Sequence, residues 1–330
     1  GHNDWIWTLA LSPDGKTLAG GGAWNDFHIH LWEVSTGKVL GVLKGHRNGV
    51  TGLVFSKDGN RLYSTSWDRT LRAWDVATRT QAGKPIVRVD DWLRALAMST
   101  DGTIATEGED CTLYIIPPEG ASIIRLKGQP NLILSLAFSQ DGNALAVGMW
   151  NGFVRVYTRT EGYWKVGMEW RLDGGVWSLA FTPDGNHLVS GTGAGSLYKV
   201  ELSSGSAPER LTDVEAHLKN EIYSLVFADE TTLLVGQNDT SVSDGKRGYG
   251  RLAIISWPDG KLLREMNDFW GVVDSIIPLD EGRRLLVSKN RTEGLAQPDR
   301  FSPSLLDFGD VNLGRGSRPA LEGAPDWLIT

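Results

Sequence analysis

A histidine, a serine and an aspartate, the residue types of a nucleophilic triad, occur close together at His46, Ser64 and Asp68. In a triad the imidazole takes the hydroxyl proton and the carboxylate fixes the imidazole tautomer. Nucleophilic use also requires an oxyanion site and a cleft, and no nearby sequence signals either, so no catalytic residue is assigned. Asp26, His28 and His30 form a second set. Alternate residues of a strand share a face, and Asp, His and His could ligate an ion such as zinc. The sequence offers no evident fourth ligand, and the two histidines fall at the places of Thr70 and Arg72 in a related segment, so no metal and no cofactor is expected. Both sets depend on the elements that carry them.

Those elements recur. A short apolar strand appears seven times at intervals of roughly forty to fifty-five residues. Five copies run directly into an Asp-Gly turn: WTLALSPDG from Trp7, TGLVFSKDG from Thr51, RALAMSTDG from Arg94, LSLAFSQDG from Leu134 and WSLAFTPDG from Trp177. Two weaker copies begin at Tyr223 and Asp274. Within a unit, four short runs rich in β-branched and aromatic residues alternate with turn residues, as in GVTGLVFS, RLYSTS, TLRAWDV and PIVRV of the second unit. Repeats of strand pattern with Gly-rich turns and no helical period belong to a radial β architecture with one blade per repeat. The fold class expected is all-β, a seven-bladed β-propeller of four-stranded antiparallel blades, at about 1–44, 45–89, 90–128, 129–172, 173–217, 218–268 and 269–324 of a single domain, 1–330.

The second unit also places Gly45-His46 before its first strand and Trp74-Asp75 at the end of its third. With that punctuation it resembles the WD40 repeat. The first unit repeats it with Gly1-His2 and Trp32-Glu33, and later units degrade it: Gly128-Gln129, Ala216-His217, and Ile116, Tyr157, Val200, Ile255 and Phe308 in the place of tryptophan. The resemblance implies that His46, Ser64, Asp68 and Trp74 form a buried, hydrogen-bonded structural tetrad rather than a nucleophile. The first unit has His2, Asp26 and Trp32, and Gly22 is read in the serine place.

Two columns of the first strands are uniformly aliphatic, Ile6/Val50/Leu93/Ile133/Val176/Ile222/Val273 and Leu9/Leu53/Leu96/Leu136/Leu179/Leu225/Ile276. They stand three residues apart where a regular strand returns to one face every two, which predicts a β-bulge between them. The positions flanking the first column vary: Trp5, Trp92 and Glu221 on one side, Trp7, Arg94, Trp177, Tyr223 and Asp274 on the other. The turns between second and third strands add Trp24, Trp67, Glu109 and Trp150, and the segments 240–250 and 292–303 read as insertions at the same level. Divergence within fixed neighbours suits a recognition surface, and aromatic rings interleaved with carboxylates favour a protein or peptide partner with an apolar anchor and a basic residue. These twelve residues are the expected partner-binding set.

A formal net charge of −7 argues against a nucleic-acid partner. A single cysteine, Cys111, excludes an internal disulfide and fits a reducing, cytoplasmic setting, and no apolar run approaches the length of a membrane span. The opening Asp4-Trp5-Ile6-Trp7-Thr8 is echoed by Asp326-Trp327-Leu328-Ile329-Thr330, so a segment of a longer multidomain chain is expected, without a full eighth blade at 325–330. The functional expectation is a non-enzymatic recognition or scaffold module, the sensor or interaction domain of a larger signalling protein. The alternative is a propeller enzyme, or a small-molecule or metal sensor, that uses the central channel.

Overall fold

The computed structural model describes residues 2, 5–118, 122–215, 217–218, 220–239, 249–270, 273, 275–279, 284–288 and 304–307. All pairing is antiparallel and, apart from β9, which pairs with β7, follows sequence order, so each sheet is a meander. Six blades are four strands wide, the second with its outer strand in two pieces: β1–β4 (Ile6–Leu11, Thr17–Gly22, Ile29–Glu33, Val39–Leu43), β5–β9 (Val50–Phe55, Arg61–Ser66, Thr70–Asp75, Thr80–Gln81, Val87–Arg88), β10–β13 (Leu96–Met98, Ile104–Gly108, Thr112–Ile116, Ile124–Leu126), β14–β17 (Ile133–Phe138, Ala144–Met149, Phe153–Thr160, Tyr163–Arg171), β18–β21 (Val176–Phe181, His187–Thr192, Leu197–Glu201, Glu209–Arg210) and β22–β25 (Ile222–Asp229, Thr232–Asp239, Tyr249–Ser256, Leu262–Trp270). In the second blade the outer edge is split, β8 and β9 both pairing with β7 across the Gly83–Pro85 interruption.

The last sheet corrects the expected count. β26 (Ile276–Leu279), β27 (Arg284–Val287) and β28 (Ser304–Asp307) form a sheet of three strands, so among the described residues the propeller has six four-stranded blades, not seven. Pro278 lies within β26 opposite Leu285, at a non-hydrogen-bonded pair where its missing N–H costs the ladder no bond. The expected third strand, 304–311, is described only as β28, and the 325–330 segment lies outside the described residues.

The Asp-Gly turns explain why the motif recurs. In each, the Asp carboxylate accepts the hydroxyl of a Ser or Thr two residues earlier and the N–H of the residue two later: Ser12–Asp14–Lys16, Ser56–Asp58–Asn60, Ser99–Asp101–Thr103, Ser139–Asp141–Asn143 and Thr182–Asp184–Asn186. The following glycine adopts φ of 70–87°, a left-handed conformation open to glycine at little cost. The hydroxyl and amide donors hold Asp14, Asp58, Asp141 and Asp184 below the ordinary carboxylate range.

The core lies between sheets. One cluster joins Ile29, Leu31 and Leu43 of the first blade to Val50, Leu53, Leu62 and Trp74 of the second, and similar layers continue around the ring. The three-stranded sheet packs Val273, Ile276, Leu285 and Val287 on the β22–β25 blade, and Leu279 and Leu286 against Ile6, Leu9, Leu18 and Trp32 of the first. The ring thus meets where the repeats begin.

The expected bulge is present in five inner strands, at Ile6/Thr8, Val50/Gly52, Ile133/Ser135, Val176/Ser178 and Ile222/Ser224. It frees a small residue to bond across the junction: Ser135 Oγ donates to Val176 O at 2.9 Å, Ser178 Oγ to Ile222 O at 2.8 Å and Ser224 Oγ to Val273 O at 3.1 Å. In the second blade that place is Gly52, and Thr51 Oγ1 donates to Leu93 O at 2.8 Å instead. A Cβ on Gly52 would sit 2.6 Å from Leu96 Cβ and 2.7 Å from Thr65 Oγ1, so the junction admits one side chain there and Thr65 supplies it.

Hydrogen exchange tests the join. Amides of β26 and β27 are expected to exchange faster than those of β5–β7, because these strands are four residues long against six and their sheet has three strands among the described residues; equal protection would show the join to be as firm as the second blade.

Candidate functional site

The triad-type residues of the second blade are consumed internally. His46 Nδ1 lies 2.8 Å from Asp68 Oδ2 and His46 Nε2 lies 2.7 Å from Ser64 Oγ, while Trp74 Nε1 donates to Ser64 Oγ at 2.7 Å. The partners fix the protons: the carboxylate needs Nδ1–H, so Ser64 donates to Nε2 and accepts from Trp74. Ser64 is fully buried and is not presented as a nucleophile. Burial holds His46 below the ordinary imidazole range despite the Asp68 bond. For Asp68, burial alone would raise the pKa, but the His46, Thr70 and Arg47 N–H bonds and the His46 charge outweigh it and leave the carboxyl at about 2. The fourth blade builds a variant from Gln129, whose amide donates to Tyr157 Oη at 2.7 Å and whose Oε1 accepts from Arg155 at 3.0 Å.

The first blade differs from the expectation. Register places Gly20, not Gly22, at the serine position, because Leu9 pairs with Gly20 as Leu53 pairs with Ser64. The run Gly20-Gly21-Gly22 carries no side-chain pattern from which the sequence alone could set that register.

Most of the expected recognition residues meet at one end of the inner strands. The backbone explains how: the residue before each aliphatic position accepts the N–H of the second-to-third-strand turn, as in Ala23 to Trp5 O, Trp67 to Gly49 O and Trp150 to Leu132 O. This ties Trp24, Trp67 and Trp150 to the strand entrances. Trp7, Trp24 and Trp67 pack mutually, with ring centroids 4.6–5.2 Å apart, and Trp67 stacks on Trp92 at 4.8 Å. Trp7 lies flat on Gly49, where a Cβ would come within 2.5 Å of the ring. The Arg94 guanidinium lies 5.7 Å from the centroids of both Trp67 and Trp92 and pairs with Glu109 at 2.6 Å. This continuous arc spans three blades.

A second arc links Trp150 to Trp177 at 5.5 Å and Trp177 to Tyr223 at 5.1 Å. Trp24 and Trp150 expose 53% and 55% of their surface, whereas Trp7, Trp67, Trp92 and Trp177 are half-buried. Glu221 Oε2 and Trp67 Nε1 are buried without a hydrogen-bond partner among the described residues. Asp274 and the 240–248 and 292–303 segments lie outside the described residues. Between the arcs opens the channel, a cavity of about 330 Å³ bordered by Arg94, Leu134, Trp177 and Tyr223 with Thr and Ser side chains below. Other tryptophans serve the core, as Trp164 and Trp257 do in their inter-blade layers.

One functional neighbour was not singled out in the sequence. Glu107 of β11 is buried, and its Oε1 accepts the N–H of Arg94 at 2.6 Å and of Ala95 at 3.0 Å. In this blade β10 begins only at Leu96, and the carboxylate takes over the backbone amides that a longer strand would pair. Burial pushes Glu107 up to about 7, reinforced by Glu109 and partly offset by the two amides and the Arg94 charge. The acidic entry in a column otherwise holding Gly21, Thr65, Gly148, Gly191 and Gly236 was the available signal.

Four segments, 1–33, 37–75, 120–158 and 169–198, match the family model described as WD domain, G-beta repeat. Among similar proteins, Periodic tryptophan protein 2 of Saccharomyces cerevisiae is 43% identical over 94 residues, 28% of this chain and 10% of that protein. Protein ROOT INITIATION DEFECTIVE 3 of Arabidopsis thaliana is 26% identical over 83% of this chain and 64% of its own length. WD repeat-containing protein 1 of Gallus gallus is 26% identical over 76% of this chain and 48% of its own. The chain spans less than two thirds of each.

Two substitutions test the buried polar groups. Ser64→Ala strands the Trp74 N–H and His46 Nε2 and is expected to cost roughly 2–3 kcal/mol in denaturant unfolding. Glu107→Gln keeps an acceptor for both amides and removes the charge. Because the folded pKa lies above the ordinary Glu value, the wild-type contribution is full below about 4.5 and is lost as pH rises through about 7. The variant should therefore match wild type near pH 4.5 and become more stable by roughly 1–3 kcal/mol above pH 7, read from unfolding curves across that range.

Proposed function

We propose that this chain, a WD40-repeat protein, is a non-enzymatic module that recognises a protein or peptide at its aromatic rim, as the interaction or sensor domain of a larger protein. The observation that carries this reading is the arc Trp24–Trp7–Trp67–Trp92 with Arg94 at its end. Four indoles held in mutual contact across three blades form a preorganised surface, and half-exposed tryptophans are the side chains on which binding energy concentrates. Little ordering remains to be done when a partner arrives.

Charge refines the expected ligand. Glu109 is neutralised by Arg94, so a basic residue of the partner gains little beside it. Glu221, with a buried oxygen lacking a partner among the described residues, is the better acceptor and lies near the second arc. The reading is an apolar or aromatic anchor on the Trp7–Trp67 arc and a Lys or Arg toward Glu221 and the open face of Trp150. The use of the channel by a catalyst has no comparable support: its hydroxyls at Ser135, Ser178 and Ser224 already donate to the neighbouring blade.

A peptide library selected on the immobilised chain tests the proposal. Selected peptides should combine an apolar residue with Lys or Arg, and Trp24→Ala, which removes an exposed ring, should weaken them at least tenfold while leaving the unfolding midpoint unchanged. Binding unaffected by both Trp24→Ala and Trp67→Ala would sink the rim reading.

A further inference from the structure

Three of the chain's six histidines lie around one carboxylate in the first blade. His2 Nδ1 is 3.0 Å from Asp26 Oδ2, His30 Nε2 is 3.4 Å from the same oxygen, and His28 Nδ1 is 3.4 Å from Asp26 Oδ1. His2, which the strand pattern of residues 26–30 could not reveal as a neighbour, is 0% exposed, Asp26 5% and His30 13%.

The proton inventory of His2 is inconsistent with a simple hydrogen-bonded role. Its Nδ1 faces the Asp26 carboxylate, and its Nε2 faces the Gly20 carbonyl oxygen at 3.0 Å. Both are acceptors, and a neutral imidazole has one N–H. In the second blade the same ring position causes no conflict, because the Ser64 hydroxyl donates to His46 Nε2. Replacement of that serine by Gly20 removes the donor and leaves a carbonyl. The His2 and His30 ring centroids lie 4.0 Å apart beside the same carboxylate oxygen. A metal ion resolves the conflict. It takes the Nδ1 lone pair, and Nε2–H then donates to the Gly20 carbonyl, the outer-shell bond that metal-ligating histidines commonly make.

The distances suit an ion. Two atoms bound tetrahedrally at zinc's usual bond lengths to nitrogen and oxygen lie about 3.3–3.4 Å apart. The Asp26 to His30 and Asp26 to His2 separations fall at or near that spacing, and the ligand atoms of His2, Asp26 and His30 all lie within 4.8 Å of one another, close enough for a modest side-chain adjustment to close the set. We propose that His2 Nδ1, Asp26 Oδ2 and His30 Nε2 form a binding site for a zinc-class divalent cation, with the fourth position open to water or to the half-exposed His28. Blade register shows what the site replaces: His30 occupies the place of Arg72, whose guanidinium lies 3.4 Å from Asp68 in the second blade.

The test is titration of the metal-stripped chain with Zn2+, followed by calorimetry, and with Co2+, followed by visible absorption. One equivalent should bind, Co2+ should develop the intense bands of a four-coordinate site, and Zn2+ should raise the melting temperature. His30→Arg installs the second-blade arrangement and should lower affinity at least 100-fold and abolish the thermal shift; His30→Gln gives the same reading if the arginine variant misfolds. Absence of saturable one-to-one binding, or affinity unchanged in both folded variants, would falsify the site.

Discussion

The structure depends on how closely one inner strand can approach the next. At four of the five bulged junctions the following blade's aliphatic residue, Val50, Val176, Ile222 or Val273, presses on a position that must be bare: a Cβ on Gly21, Gly148, Gly191 or Gly236 would lie 2.5–2.8 Å from it. The preceding blade returns the contact through a hydroxyl donated to that residue's carbonyl where Ser135, Ser178 or Ser224 is present. Steric room and one hydrogen bond thus set the tilt between blades. Both sit beside the bulge, and the bulge turns Trp7, Trp177 and Tyr223 away from the packed layers. Core geometry and surface chemistry therefore share a single backbone irregularity.

The two arcs of the rim are unequal. The first is a fused indole surface whose charge is balanced internally by Arg94 and Glu109, and Glu107 anchors the backbone that carries Arg94. The second, from Trp150 to Tyr223, is a shorter file of rings beside Glu221. A ligand reading both must bridge the channel mouth, so the arcs favour an extended or two-point contact over a single buried plug.

Much of this was legible in the sequence because the responsible interactions are local. The S/T-x-D-G turns act across two residues, and the three-residue spacing of two aliphatic columns implied the bulge before any strand was placed. The aromatic columns followed from the same alignment. What escaped was long-range or depended on substitution inside a featureless run. Gly20-Gly21-Gly22 gives no alternation, so Gly22 was aligned where Gly20 belongs, and the opposition of His2 Nε2 to a carbonyl went unseen. Glu107 acts on a backbone 12 and 13 residues away, and although a carboxylate stands out among Gly21, Thr65, Gly148, Gly191 and Gly236, its type alone did not announce a strand replacement. The sheet count differs at the last repeat, which keeps its aliphatic columns but has three strands, β26–β28, among the described residues.

The meander order has an evolutionary corollary. Since strands pair only within their own repeat and the junction hydroxyl bonds span 41 to 49 residues, about one repeat, a duplicated or deleted unit meets the same kind of seam on either side. No strand needs re-threading and no partner is orphaned. Units can therefore diverge individually, which is how one blade keeps a complete polar tetrad while its neighbour trades a serine for glycine and gathers histidines instead.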